Sequence, residues 1–192
     1  MADTGYLFAT STQVSTGTWA NVSNFFSTNG TEAACTISTK NASSVARLLN
    51  FGFTTSVLPS NATVSQVFMR AVWRVTTNAS VIANLGVAVH HSSAGLLSTH
   101  LNIDEPTSLT TDTFDISADR AWAPADFRDN TMTVHVRPHN GNDASDPFYR
   151  FDSVSLDVIY TVPAAQARQF FRSAQNLDGL GSDAFVPGNQ LE

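Results

Sequence analysis

The stretch Phe151-Asp152-Ser153-Val154-Ser155-Leu156-Asp157-Val158-Ile159-Tyr160-Thr161-Val162 decides the fold. Val154, Leu156, Val158, Tyr160 and Val162 interleave with Ser153, Ser155, Asp157 and Thr161. Side chains in a strand point alternately to its two faces, so this period of two reads as a half-buried β-strand. Met132, Val134 and Val136 alternate with Thr133, His135 and Arg137 in the same way, and Leu85, Val87 and Val89 form a third set. Over residues 63–77, Val67, Met69, Ala71, Trp73 and Val75 share one face. Arg70 and Arg74 share the other with the apolar exceptions Phe68 and Val72. That composition predicts a long strand in the middle of a sheet. Residues 33–38 and 45–53 are further strand candidates. Ala46-Arg47-Leu48-Leu49 alone also fits a helix, but Gly52, Pro59 and the Ser/Thr-rich surroundings punctuate at strand intervals.

Turn-forming runs separate these segments: Ser27-Thr28-Asn29-Gly30, Leu58-Pro59-Ser60-Asn61 and Pro138-His139-Asn140-Gly141-Asn142. A parallel sheet would need crossover helices between its strands, and no amphipathic helical pattern intervenes. The expected fold is therefore all-β, an antiparallel jelly-roll-like sandwich over residues 1–162. From Pro163 the period changes: Ala164, Ala167, Phe170, Phe171, Ala174 and Leu177 recur at helical spacing until Gly179 and Gly181. Residues 163–192 are thus expected to form a short helix and an extended arm. Either the helix docks on its own sandwich, or the arm orders on a neighbouring subunit through Phe170, Phe171, Leu177, Phe185 and Val186.

Composition narrows the function. The chain has 192 residues, of which 14% are charged, and a formal net charge of −6. Lys40 is its one lysine. Phosphate binding needs clustered Arg and Lys, so nucleic acid is not an expected partner. No apolar run is long enough to span a bilayer, so no membrane association is expected. The start, MADTGYLFATST, lacks the basic and apolar regions of a signal peptide, and cytosolic synthesis is the expectation. The Asn-x-Ser/Thr sequons at Asn21, Asn29, Asn41, Asn61 and Asn78 read as products of a Ser/Thr/Asn-rich composition. Cys35, the single cysteine, lies in an apolar strand pattern and reads as a buried, inert thiol.

No catalytic or metal constellation stands out. Asp104, Glu105, Asp112, Asp115, Asp119, Asp126 and Asp129 keep no fixed spacing to a histidine or to one another. His90 and His91 are neighbours and would point to opposite faces of a strand. His135 and His139 have a metal-site spacing only on a helix, which Pro138 and the strand pattern oppose. His100 stands alone in the sequence. Residues 140–146 are rich in oxygen ligands but lack the spacing of a calcium loop, and a hairpin is the simpler reading. No nucleophile elbow, phosphate loop or dinucleotide fingerprint is present. The expectation is a non-catalytic protein without metal or cofactor.

The order of several blocks resembles a jelly-roll-like sandwich domain of tailed-bacteriophage structural proteins. These blocks are Trp19, Asn21 and Asn29-Gly30, then Phe51-Gly52-Phe53, then Leu58-Pro59-Ser60-Asn61-Ala62-Thr63-Val64, and finally residues 151–160. The resemblance covers about residues 19–162, is poorest over 94–129, and leaves out the tail. It implies a virion subunit assembled in the host cytoplasm, as capsid decoration or cement or as a tail or collar component. Its partners would be copies of itself and another virion protein, such as the major capsid or a tail or collar protein. The alternative is a carbohydrate-binding module for a host glycan, with Trp122 in Arg120-Ala121-Trp122-Ala123-Pro124 as the candidate stacking residue, and Trp19 and Trp73 behind it. A polysaccharide-cleaving enzyme would require two acids, for example among Asp104, Asp115 and Asp126, facing each other across a cleft.

Overall fold

A computed structural model describes residues 1–39, 41–76, 83–102, 106–140 and 148–163. Their strands, in chain order, are β1 (Ala2–Asp3), β2 (Leu7–Phe8), β3 (Ser11–Thr16), β4 (Thr18–Ala20), β5 (Ala33–Thr36) and β6 (Val45–Leu49), followed by β7 (Thr63–Val75), β8 (Ala83–His91), β9 (Gly95–Asn102), β10 (Thr110–Asp115), β11 (Met132–Asn140) and β12 (Phe148–Thr161). They form two antiparallel sheets. One runs β10-β7-β12-β5-β4, with β1 and β2 also pairing β12, and the other runs β3-β6-β11-β8-β9. The protein is an all-β sandwich, as the sequence leads one to expect.

The stretch that opened the reading is β12, and it lies against β7 over nearly its whole length, with Leu156 opposite Met69 and Val158 opposite Val67. The inward residues of both strands are fully buried, among them Trp73, Phe151, Val154 and Leu156. Trp73 and Tyr149 stack at 6.1 Å between ring centroids, and Phe25 reaches Phe151 at 5.4 Å. Aromatic rings of this size dominate core energetics, so the seven-stranded sheet carries the heavier half of the core. Val134, Val136, Leu48, Val87 and Val89 supply the facing layer from the other sheet. Cys35 is buried as expected; its thiol is pushed up to about 11, chiefly by burial.

Turn chemistry holds the ends. The Asp152 carboxylate accepts from Gly30 N–H (2.8 Å) and Asn29 N–H (3.3 Å), which ties two of the quoted blocks together. Gly30 has φ +76°, a conformation that glycine adopts without strain. The Pro59 carbonyl accepts from Ala62 N–H and launches β7, and the Tyr160 hydroxyl donates to Val57 O at the sheet rim.

Two expectations need correction. Pro138-His139-Asn140 is strand, not turn, and Pro138 sits opposite Leu85 in the middle of a sheet. Its carbonyl accepts from Ser44 N–H, so its nitrogen faces the chain just before β6 begins, where no ladder donor is needed. The candidate over residues 45–53 ends early, because Asn50 (φ 55°) and Gly52 (φ 74°) leave the extended region. β1–β4, β9 and β10 are not among the expected strands: β1, β2 and β4 have two or three residues each, and Ser11–Thr16 and Thr110–Asp115 alternate few apolar residues. The expected C-terminal helix and arm beyond Pro163, with Phe170, Phe171, Leu177, Phe185 and Val186, lie outside the described residues. So do Asp104, Glu105 and the oxygen-rich loop after Asn140.

Candidate binding face on the five-stranded sheet

The inward side chains of β3, β6, β11, β8 and β9 face the core, and pleating therefore turns the alternate set outward. Register fixes which outward residues are neighbours. Gln13 lies opposite Arg47, Arg47 opposite His135, His135 opposite Ala88, and Ala88 opposite Thr99, one row crossing all five strands. At about 4.8 Å between strands, that row spans about 19 Å. In the next row, Arg137 lies opposite Gly86 and Gly86 opposite Leu101. His139 follows Arg137 on the same face of β11, and His90 lies opposite Thr133.

The centre of this face is sunken. His135 is only 8% exposed although it points away from the core. The His90 ring stacks on it at 3.7 Å between centroids, and Thr133 Oγ1 lies 3.2 Å from its Nε2. A hollow of 440 Å³ opens beside it, lined by Gln13, Val14, Ser15 and Arg47. On the other side is a 300 Å³ pocket lined by residues that include Asn84, Gly86, Thr99, Leu101, Arg137 and His139. Gly86 makes that pocket: a Cβ there would stand 3.2 Å from Arg137 O and 3.3 Å from Leu101 Cδ2, so any larger side chain fills the floor. From beneath, the Tyr149 hydroxyl reaches across the sandwich to His139 O (2.5 Å) and Asn84 O (3.2 Å), fixing β8 against β11 where they carry the pocket.

The electrostatics of the face are one-sided. No Asp or Glu occurs in the five strands of this sheet, and all five histidines do. Burial pushes the His135 imidazole down to about 4, and the neighbouring His90, Arg47 and Arg137 push the same way. His90 is lowered by burial and then by Arg47 and Arg137. Both rings are therefore neutral near pH 7, and Arg47 and Arg137 provide the standing positive charge.

The remaining sites singled out in the sequence are structural. His91 turns inward, opposite in direction to His90; its Nε2 lies 3.0 Å from Asp126 Oδ1 and its Nδ1 2.9 Å from Ser93 Oγ. Burial would raise the Asp126 carboxyl, but Ala123 N–H (2.8 Å), His91 and Arg120 Nε (3.2 Å) outweigh it and hold it below the usual carboxylate range. This hub ties the β8–β9 turn to the segment before β11. His100 is not alone in space: it lies 2.9 Å from Asp119, with Ser98 between them. Asp112 accepts from the Trp73 indole, and Asp115 accepts from Ser117 N–H at 2.9 Å. Trp73 is fully buried, and Trp19 packs on Phe25 and Phe151. Trp122 is half-buried; its Nε1–H donates to Ile116 O (2.9 Å) and its ring lies 5.2 Å from Phe127. Sequence reasoning placed His135 and Arg137 on the polar side of a strand and weighed His135 with His139 as a metal pair, which a strand does not support. Thr133-x-His135-x-Arg137-x-His139 was the signal available, and it becomes a site only when register adds Arg47 and His90.

No protein-family model and no curated protein matches this chain. Solved structures of similar fold do. One described as SGBP-B from a complex xyloglucan utilization locus in Bacteroides uniformis superposes with a TM-score of 0.51 at 13% identity, over 80% of this chain and 49% of that one. A structure of domains CD of a longer protein gives 0.51 at 15% identity, over 80% of this chain and 66% of that one. A structure described as CBM4 structure and function gives 0.47 at 12% identity, over 81% and 95%. This chain thus spans about half the length of the first of these, and at such identities the likeness is one of fold.

Proposed function

We propose that this chain is a non-catalytic carbohydrate-binding sandwich that holds its ligand on the outer face of the five-stranded sheet. The observation that carries the reading is the sunken row across all five strands, flanked by two hollows and lined by side chains with hydrogen-bonding capacity. Gln13, Asn84, Thr99 and Thr133 suit sugar hydroxyls, and a row about 19 Å wide suits a short oligosaccharide lying across the strands. The fold neighbour from a xyloglucan utilization locus supports the same reading. A non-catalytic role is favoured because Asp112, Asp115, Asp119 and Asp126 each accept hydrogen bonds from the protein itself.

Of the two expectations drawn from the sequence, glycan recognition has the firmer support. The virion-subunit reading keeps the resemblance in block order, and its proposed assembly arm lies outside the described residues. The test is affinity electrophoresis of the intact chain through gels containing neutral and acidic polysaccharides. Retardation by at least one glycan is expected, abolished by Gly86→Val, which fills the pocket floor, and kept by Trp122→Ala. Free migration in every gel overturns the reading.

A further inference from the structure

The positive charges of this protein are not distributed as a solvated surface would distribute them. On the outer side of the seven-stranded sheet, Arg74 donates to both Glu32 oxygens (2.8 and 3.0 Å). Arg150 approaches the same carboxylate at 3.7 Å, and Arg70 lies over the Tyr6 ring at 4.1 Å. Arg120 pairs with Asp126, and Arg128 donates to Leu58 O. Arg47 and Arg137 alone among the described arginines have no hydrogen-bond acceptor, carboxylate or ring as partner within the described residues. Both stand on the face proposed to bind glycan, Arg47 opposite His135 on β6 and Arg137 two residues along β11. In a chain with 16 acidic residues and a net charge of −6, a five-stranded sheet without one acid leaves its guanidinium groups open to an anion from outside.

From this we infer that the ligand of the face is an acidic polysaccharide, a uronate-bearing chain whose carboxylates are gripped by Arg47 and Arg137 beside the His90–His135 pair. The inference rests on the carbohydrate-binding reading and sharpens it. A guanidinium fork matches a carboxylate in bidentate geometry, which fixes both position and orientation. The outward set described above contains no Trp, Tyr or Phe, so the stacking platform that a neutral sugar would use is missing. Two arginines without a lysine beside them fall short of what a nucleic-acid backbone requires. The hydroxyl and amide side chains of Gln13, Thr99, Thr133 and Asn84 remain for the sugar ring. The charged groups that act on the two imidazoles are Arg47 from β6 and Arg137 from β11, while β3 and β9 offer only uncharged side chains on this face. Burial first, and Arg47 and Arg137 after it, hold both imidazoles neutral, so the two guanidinium groups are the charges that a carboxylate meets here.

The experiment uses the intact chain in affinity gels of polygalacturonate, alginate and hyaluronate. Each is run beside the same polymer with its carboxyls methyl-esterified, and xyloglucan serves as the neutral control. Retardation is expected in at least one acidic gel and at least tenfold weaker in its esterified counterpart. Arg47→Gln with Arg137→Gln should abolish it while the thermal melt of the variant matches that of the parent. Equal retardation by ester and acid, or retardation by xyloglucan alone, overturns the anionic assignment and leaves the glycan reading standing. Free migration in every gel removes both. A double variant that binds the acidic polymer as the parent does shows that these arginines are not the grip.

Discussion

The two sheets of the sandwich treat their outward arginines in opposite ways. On the seven-stranded side Arg74 and Arg150 face each other across β7 and β12, and the Glu32 carboxylate holds both. On the five-stranded side Arg47 and Arg137 stand beside a stacked pair of histidines with no acid in any strand. A charge answered within the fold contributes to holding the fold. A charge left unanswered adds repulsion to the native state and stays open to an outside anion. The contrast separates stability from the proposed recognition on two faces of one small protein, and substitutions can probe each separately.

The largest expected effect belongs to the five-stranded side and concerns pH. His135 titrates near 4 in the native state and near 6.5 when unfolded. Between those values the unfolded chain binds a proton that the native chain refuses, so stability rises with pH across the window. This contribution is complete above pH 6.5, is lost as pH falls toward 4, and amounts to about 3 kcal/mol. Urea denaturation at steps between pH 7.5 and 4 should show this slope, and His135→Gln should flatten it. A parent whose stability is unchanged across the window would mean that the histidine is not buried among cations. Asp126 leaves this window clear, because its lowered carboxyl gives up stability only under more acidic conditions.

A smaller effect is expected across the sandwich. Glu32→Ala leaves Arg74 and Arg150 opposed without a counter-charge and should cost about 1–2 kcal/mol in urea denaturation. Arg47→Ala and Arg137→Ala should each stay within about 0.5 kcal/mol of the parent, as expected for side chains that hold no structural partner among the described residues. If the order is reversed, the five-stranded arginines are structural and the contrast between the faces fails.

The sequence shows the strands whose alternation is driven by core packing. β12, β7, β8 and β11 announce themselves because Val, Leu, Met and Trp must alternate to fill one interior. β3 and β10 do not, because Ser11–Thr16 and Thr110–Asp115 lie at edges where Ser and Thr satisfy both sides. Pro138 misleads for a related reason: proline punctuates in general, and only because β6 begins no earlier than Val45 is its nitrogen free of a ladder. The binding face was harder to see. Its residues come from segments as far apart as Gln13 and His139, and their adjacency is a property of register. Trp122 drew attention as an aromatic in a loop-like context, whereas its indole packs on Phe127 and bonds Ile116. Histidines judged one by one looked like ordinary hydrogen-bonded side chains, which His91 and His100 are. Only the stacked pair at His90 and His135 depends on two strands meeting.

The account turns on the claim that recognition belongs to the outer face of the five-stranded sheet. The most direct test is an NMR titration of the labelled chain with an oligosaccharide of whichever polymer retards it in gels, following backbone amides, arginine Nε–H groups and histidine rings together. The account predicts shifts that converge on Gln13, Arg47, Gly86, His90, Thr99, His135 and Arg137, with Arg74, Arg150 and the Trp122 indole unmoved. Shifts that instead gather at Trp122, or on the Arg74 and Arg150 side of the sandwich, would contradict it.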